Sequence, residues 1–297
     1  MAETMFRFDN LQSVPDEDVH AAFLDAFSDY AVPMNMSLAD MQVMHLRRGI
    51  AKSASIGAFG LDGKLAGFIL NGDGIWDGLR CAYDGGTGVL PAFRGQGLSK
   101  AMAQEAKRRL KALGFKRWLL EVLVENEPAY KTYHGAGFCV TRRFACPRGT
   151  VADAPAKAAA AVTKAGVDIR PLGHRDTARF YAFRDWKPSW QNSDESLART
   201  PEALVCLGAW DAKDGDSAPV GYIAATQGGS IFQLAVHPEH RARGVGRALA
   251  CSVAATTPNG SLRYINIASE DEASLGLMRS LGVADSVDQW EMVLDLL

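Results

Sequence analysis

The 297-residue sequence has no long apolar run and no apolar segment at its start. A helix that spans a bilayer needs about 20 consecutive apolar residues, and no run in this chain approaches that length. The opening eight residues, MAETMFRF, lack the apolar core of a secretory signal. These absences predict a cytoplasmic protein without a membrane partner.

Concentrated charge and paired cysteines are also scarce. The formal net charge is -2, so the chain offers no support for a nucleic-acid partner, which needs a concentrated basic face. The five cysteines form no C-x-x-C pair and are odd in number. We interpret them as small apolar residues in a reducing compartment. The six histidines show no metal-ligand spacing, and we expect no metal.

What the chain does contain is an internal repeat. The segment VLPAFRGQGLS at 89–99 resembles VHPEHRARGVG at 236–246, with an offset of 147 residues. Further on, Gly137-Phe138 resembles Gly282-Val283, with an offset of 145 residues. Two matches at nearly equal offsets indicate a duplicated domain rather than a duplicated loop.

The repeat predicts two domains joined by a linker. Residues 148–166 are alanine-rich and lack aromatic side chains, so we interpret them as a linker with some helical content. The first domain is then 1–147 and the second 167–297. Hydrophobic residues make up 47% of the chain, enough for a packed core in both.

Local patterns in both copies alternate between helical and strand periods, which favours an α/β fold with a mixed sheet. The first copy has helical spacing at 15–30 and 37–46 (with Ser37 as N-cap) and a hairpin around Asp62-Gly63. It continues with a helix at 98–113 that ends before Gly114, a strand at 118–124 and a helix from 128. The second copy has a hairpin from 203–210 and 220–225, a capped helix at 194–199 and a late strand at 262–267.

Each copy has a strand, then Arg-x-x-Gly-x-small, then a helix. Glycine lets the backbone turn tightly, and the N–H groups at the start of a helix bind anions such as a diphosphate. The loops are 94–99 and 241–246. Neither contains G-x-G-x-x-G or the G-x-x-x-x-G-K-[S/T] nucleotide loop. A purely structural turn is the alternative, and two loops in equivalent places disfavour it.

Both loops resemble the acetyl-CoA motif [Q/R]-x-x-G-x-[G/A] of the GNAT superfamily of N-acetyltransferases. The second copy fits fully, whereas the first has Ser99 at the last position. The resemblance implies two tandem GNAT acyl-CoA N-acyltransferase folds that use acetyl-CoA as cosubstrate. The cofactor-binding residues it implies are Val89, Arg94, Gly95, Gln96, Gly97, Leu98, Ser99 and Asn126 in the first copy, and Val236, Arg241, Ala242, Arg243, Gly244, Val245, Gly246 and Arg247 in the second.

Residues 126–138 resemble the second GNAT motif, N-x-x-A-x-x-L-Y-x-x-x-G-F. Thr132 stands where the motif has Leu. Glu121 precedes Tyr133 by twelve residues, as in the ribosomal-protein alanine acetyltransferases, and this implies Glu121 as base and Tyr133 as acid. An amine must lose a proton before it attacks a thioester, and the CoA thiolate must gain one. A surface carboxylate is the alternative for Glu121, and Asp84 is a reserve base or amine anchor.

The second copy lacks this pair. Met278 and Asn266 stand at the tyrosine and glutamate positions, and Asp271 replaces Asn126. We expect this copy to bind CoA, or to have bound it once, and to contribute structure or substrate contacts rather than catalysis. Trp186 and Trp190 either form a binding loop or pack as core, and we favour the core.

The expected function is acetyl transfer from acetyl-CoA, by direct attack, to a primary amine of a small molecule or peptide, in a monomer or homodimer. The alternative is a non-catalytic acyl-CoA-binding or regulatory protein. O-acetylation and transfer of longer acyl groups also stay open.

Overall fold

The chain forms two compact units. A computed structural model describes residues 6–29, 36–200, 204–213 and 218–296. Unit 1 comprises Met1–Thr141 and Trp290–Leu297, and unit 2 comprises Arg142–Gln289. Each unit contains a mixed sheet with helices packed against it, so the predicted α/β class with two copies is confirmed.

The elements follow in chain order. The strands are β1 Arg7–Asn10, β2 Ile56–Phe59, β3 Leu65–Trp76, β4 Leu79–Val89, β5 Arg117–Leu123, β6 Cys139–Ala145, β7 Pro147–Thr150, β8 Val167–Pro171, β9 Val205–Asp211, β10 Gly221–Ala225, β11 Ser230–Val236, β12 Ser261–Tyr264, β13 Ile267–Ala268, β14 Val283–Ser286 and β15 Gln289–Asp295. The helices are α1 Asp16–Ala26, α2 Leu38–Arg48, α3 Leu98–Ala112, α4 Glu127–Gly135, α5 Ala154–Ala165, α6 Asp194–Arg199, α7 Val245–Thr256 and α8 Glu272–Ser280.

The first sheet runs in the order β1-β2-β3-β4-β5-β15-β6-β13, and β13 pairs with the last residues of β6, Phe144 and Ala145. Strands β4 and β5 are parallel, and the β1-β2, β2-β3 and β3-β4 pairs are antiparallel. Trp118 on β5 is fully buried against Phe138, with ring centroids 5.1 Å apart. Helix α3 contributes Met102, Ala106 and Leu110 to the same core.

The sheet of unit 2 runs in the order β14-β7-β12-β11-β10-β9-β8, with β11 and β12 parallel. Helix α5 packs closely on α7, because it buries only small side chains, those of Ala154, Ala158 and Ala161. Residues 148–166, which the sequence analysis interpreted as a linker, therefore contribute strand β7 and helix α5 to unit 2. The alanines that suggested a linker form the buried face of α5.

The last strands of the two copies are exchanged. Strand β15, which the repeat places in the second copy, lies between β5 and β6 in unit 1. Strand β7, which follows the first copy's β6, lies between β14 and β12 in unit 2. The structural bounds therefore differ from the predicted 1–147 and 167–297.

Several predicted helix and strand ends can be compared with the structure. The Ser37 side chain accepts from the Asp40 N–H, and the Asp40 carboxylate accepts from the Ser37 N–H, so the two residues form a capping box. Gly114 has φ 83° just after α3. The late strand predicted at 262–267 is interrupted, because Asn266 adopts φ 58° and separates β12 from β13. Tyr30 and Ala203, at the ends of two predicted elements, lie outside the described residues.

In the part of the chain that the structure describes, no helix combines the length and the apolar character needed to cross a bilayer.

Candidate active site

A gap opens between β4 and β5 in unit 1. Their parallel pairing ends at Asp84 and Leu120, although β4 continues to Val89 and β5 to Leu123. Next to Asp84, the register of β4 against β3 shifts, and Gly85 is the extra residue of a β-bulge. A bulge bends its strand and strengthens the local twist, which separates β4 from β5 beyond this point.

The backbone of β4 presents donors to this gap. The N–H of Leu90 donates to the carbonyl of Ala66 on β3. Since N–H groups of an antiparallel strand alternate in direction, those of Thr87 and Val89 point away from β3 and toward the gap. A backbone N–H placed there can stabilise the oxyanion of an acyl-transfer intermediate.

The predicted phosphate loops have matching backbones. In unit 1, Gly95 and Gly97 adopt φ 73° and 74° immediately before α3. In unit 2, Ala242 and Gly244 adopt φ 60° and 91° immediately before α7. Left-handed residues at the head of a helix turn successive N–H groups toward one concavity that suits an anion. Ala242 does this at a steric cost that glycine avoids.

The arginine that opens each loop is bonded within its own unit. Arg94 donates to the carbonyls of Val89 and Ala26 and forms an ion pair with Asp29. Arg241 repeats this with Val236, Phe183 and Asp185. In both units the guanidinium is therefore a clamp that fastens the loop to the end of the preceding strand and to the segment between β1 and β2 in unit 1, or between β8 and β9 in unit 2.

The other predicted cofactor-binding residues divide into backbone and side-chain positions. Leu98 and Val245 bury their side chains in the two cores, so only their backbones can face a ligand. Asn126 caps α4 by accepting from the Ala129 N–H, and its counterpart Asp271 caps α8 in the same way. The remaining polar side chains are those of Gln96, Ser99, Arg243 and Arg247; Gln96 donates to the Ala92 carbonyl and Arg247 to Ser280. Val89 and Val236 pack against the two cores.

The structure brings Tyr133 to Asp84, a residue the sequence analysis held in reserve. The Tyr133 hydroxyl donates to Asp84 Oδ2 over 3.1 Å. The same carboxylate accepts from Thr87 Oγ1 at 2.7 Å and from the Gly86 N–H at 3.0 Å. Burial raises the pKa of Asp84, and these hydrogen bonds and the charge of Arg48 only partly oppose the effect.

Glu121 has a partner that the sequence analysis missed. The hydroxyl of buried Tyr83 donates to Glu121 Oε2. Burial and the neighbouring Glu121 charge raise the pKa of Tyr83 well above its ordinary value of 10, so Tyr83 stays a phenol and a donor. The signal was present in Tyr83-Asp84 directly before the glycines of β4, but the sequence could not show which carboxylate each residue would meet.

The two predicted catalytic groups approach the gap from opposite faces of the sheet. Leu120 and Val122 pack in the core with Tyr133, and Glu121 between them points to the other face, since side chains alternate along a strand. Such an arrangement can deprotonate an amine on one side and protonate a thiolate on the other.

Unit 2 has the same gap with different chemistry. Its bulge residue is Phe232, and the pairing of β11 with β12 ends at Ile231 and Tyr264. Met278, at the position of Tyr133, is fully buried in the core. The strand register puts Ile265 at the position of Glu121, so the placement of Asn266 there by sequence spacing is off by one residue. Asn266 bonds to Cys146 and Ser189.

Comparison with known families identifies the class of protein to which this fold, gap and loop belong. The model of the acetyltransferase (GNAT) family matches residues 22–138 and 171–283. The chain belongs to this family and carries its domain twice. A search of curated protein sequences found no significant match.

Solved structures support the tandem fold. A GCN5-related N-acetyltransferase from Sphaerobacter thermophilus superposes with a TM-score of 0.72 at 16% identity, over 100% of this chain and 97% of that one. A tandem GNAT protein from the clavulanic acid biosynthesis pathway gives 0.69 at 17% identity and 98% of both chains. A fungal multi-domain β-N-acetylglucosaminidase with a glucosamine N-acetyltransferase region gives 0.73 at 15%, over 99% of this chain, which spans 38% of that chain.

Proposed function

We propose that the protein is an acetyl-CoA-dependent N-acetyltransferase whose reaction takes place in unit 1. The observation that carries this proposal is the placement of two polar pairs, Tyr83–Glu121 and Asp84–Tyr133, at the point where β4 and β5 separate. The acceptor is a primary amine of a small molecule or peptide.

In this proposal the amides of the 94–99 loop hold the diphosphate of acetyl-CoA, and its thioester lies in the gap. Glu121, oriented by Tyr83, removes a proton from the amine, which attacks the thioester carbonyl. The N–H of Thr87 donates to the resulting oxyanion. When the C–S bond breaks, the nitrogen loses its second proton to solvent and Tyr133 protonates the departing thiolate, giving the amide product and free CoA. Solvent then returns a proton to Tyr133 and takes one from Glu121.

The test is thiol release from acetyl-CoA, measured on the whole chain with a panel of small amines and peptides. The expected result is release that depends on the amine and is lost in Glu121→Gln. Binding of acetyl-CoA without turnover on every amine would instead support the non-catalytic acyl-CoA-binding alternative. No heat with CoA or acetyl-CoA in calorimetry would reject both.

A further inference from the structure

The concavity beside the 241–247 loop is the unit 2 counterpart of the acetyl-CoA site proposed for unit 1. Trp186 lines it and is 42% exposed, whereas Trp190 is buried, so the expectation that both tryptophans pack as core is wrong for Trp186. A separate open concavity, of about 550 Å³, lies over β7, β12 and β14 and beside the turn that precedes β11. Neither the phosphate loop nor the gap contributes a residue to it.

A row of side chains crosses four strands along this separate concavity. Asp285 on β14 pairs with Arg148 on β7. Arg148 pairs in turn with Arg263 on β12, and Arg263 pairs with Ser230 on β11. Residues paired across neighbouring strands project from the same face of a sheet. This face lies opposite α7, because Leu262, next to Arg263, points the other way into the core that α7 shares.

Hydroxyl groups border the two arginines. Thr150 pairs with Ser261. Each lies two residues from Arg148 or Arg263 along its strand, so both hydroxyls share the face of the guanidinium groups. The Ser230 hydroxyl accepts from Arg263 Nη2 at 3.1 Å and still has its own proton to donate. The concavity therefore presents two guanidinium groups and three hydroxyls as hydrogen-bond donors.

One carboxylate does not balance both arginines. Arg148 Nε donates to Asp285 Oδ2 at 2.7 Å, and the strand order places Asp285 on the side of Arg148 that is away from Arg263. In the described part of the chain, Arg263 bonds to the Ser230 hydroxyl and forms no ion pair. Like charges opposite each other on neighbouring strands destabilise a sheet, and an anion between the arginines would remove this cost. The three charged side chains are exposed, so a dissolved ion can reach them.

The fold itself does not require this row. In unit 1, the parallel pair that corresponds to Ser230 and Arg263 is Tyr83 and Leu119, and both of these side chains are buried. The two facing arginines are therefore a feature of unit 2 and, unlike the phosphate loops, are not part of the repeat.

The number and charge of the donors indicate the ligand. A carboxylate has two oxygens, which a single guanidinium fork satisfies. A phosphate group has three acceptor oxygens and a charge of about −1.5 to −2, so it can accept from both arginines and from a hydroxyl at once. A volume of about 550 Å³ is in the range of a small-molecule site, which leaves room for the rest of a phosphate monoester.

We propose that this face of unit 2 binds a phosphate group between Arg148 and Arg263, with further donors from the hydroxyls of Thr150 and Ser261. Two sources carry this chemistry, inorganic phosphate and a phosphate monoester of a small molecule. The site goes beyond the transferase reaction proposed for unit 1, and its test uses no acetyl donor.

The test follows the arginine Nε–H signals of the full-length protein, labelled with nitrogen-15 arginine, by NMR. The signals of Arg148 and Arg263 are assigned with Arg148→Gln and Arg263→Gln. Arg170, which pairs with Asp168 on β8, is the reference. Because each signal belongs to one arginine, phosphate bound at the two loops does not contribute to the readout.

Inorganic phosphate and glycerol 3-phosphate are titrated separately at constant ionic strength. We expect saturable shifts of the Arg148 and Arg263 signals and no shift of the Arg170 signal. A lower Kd for glycerol 3-phosphate would identify a monoester as the source, and equal values would identify free phosphate.

Two substitutions in the row are expected to change the affinity in opposite directions. Arg263→Gln keeps a hydrogen-bond donor but removes the charge, and is expected to weaken phosphate binding by at least about fivefold. Asp285→Asn frees the Arg148 fork and removes a repulsive charge, and is expected to tighten binding by roughly two- to fivefold. Asp168→Asn, which removes the exposed partner of Arg170, is the matched control and is expected to leave the affinity unchanged.

The absence of a saturable shift with either probe, or equal affinities for the wild type and Arg263→Gln, would overturn the proposal. Acetate binding as tightly as phosphate would overturn the phosphate class. Because tighter binding in Asp285→Asn requires a folded protein, that variant separates the role of the row from a loss of folding. These readouts need no turnover, so they remain informative if unit 1 proves inactive.

Discussion

At the scale of single residues, Tyr133 is the most direct test of the unit 1 chemistry. Its hydroxyl donates a hydrogen bond to the Asp84 carboxylate beside the gap. Tyr133→Phe is expected to lower kcat by at least about tenfold with CoA affinity kept, because a positioned acid contributes to leaving-group departure. Steady-state thiol release and calorimetry with CoA measure the two quantities.

The matched control is Tyr130→Phe on the same helix. Tyr130 stacks on His134, with ring centroids 5.9 Å apart, and takes no part in the Asp84 contact. Its loss is expected to leave turnover within about twofold. Unchanged turnover in Tyr133→Phe would remove Tyr133 from the mechanism.

Substitutions of Glu121 and Tyr83 are expected to lower kcat by different amounts. Glu121→Gln removes the base and is expected to lower kcat by about a hundredfold or more. Tyr83→Phe removes only a donor that orients it, so a smaller fall, of roughly two- to tenfold, is expected from the loss of one hydrogen bond. Equal effects in steady-state assays would contradict the assignment of Tyr83 as a positioning residue.

The buried carboxyl group of Asp84 predicts how the stability of the protein changes with pH. Burial raises its pKa above the ordinary value of 3.8, so its contribution to folding is fully present below about pH 4 and is lost as the pH rises through the folded-state pKa. Asp84→Asn cannot titrate. The Tm of the wild type minus that of Asp84→Asn is therefore expected to fall as the pH rises from about 4, and a constant or rising difference would contradict it.

At the scale of elements, the loop clamp can be tested apart from the chemistry. Arg94→Lys removes the fork that fastens the loop to Val89, Ala26 and Asp29. A less ordered loop is expected to raise the KM for acetyl-CoA by roughly three- to tenfold with little change in kcat, since a lysine cannot replace a guanidinium fork. Arg108→Lys, whose ion pair with Glu105 lies on α3, is the control, and equal KM values in both variants would argue against the clamp.

The elements also show what the sequence could predict. The capping box of Ser37 and the turn at Asp62-Gly63 depend on neighbouring residues, and both were predictable from local chemistry. The interruption of the late strand at Asn266 was not, because it depends on bonds to Cys146 and Ser189, which are remote in sequence. The same holds for the site, where the loops were found by motif and the Asp84–Tyr133 contact required the fold.

At the scale of the whole molecule, the repeat identified the duplication but not the sheet that each last strand joins. The offsets of 147 and 145 residues relate equivalent positions in the sequence. They would be the same whether or not β7 and β15 were exchanged between the two sheets. Only hydrogen bonding reveals that β15 lies between β5 and β6. A division at residue 147 therefore separates unit 1 from one of its own strands.

This exchange predicts that a chain ended at residue 147 does not fold into an active unit 1. It would lack Met292, Leu294 and Leu296, which are at most 6% exposed in the unit 1 core. Burial of three such side chains is worth roughly 5 to 9 kcal/mol, comparable with the whole stability of a small domain. It would also lose the bond from the Leu296 N–H to Lys116 and the Asp295 pair with Arg117.

The measurement is circular dichroism and thiol release for residues 1–147 alone and with a synthetic peptide of residues 287–297. The shorter chain is expected to lack a cooperative thermal transition, and the peptide to restore it by supplying β15. A peptide with Met292, Leu294 and Leu296 changed to serine is the control, because it keeps the length and backbone but loses the apolar face. A cooperative transition in the shorter chain without any peptide would show that unit 1 does not require the exchanged strand.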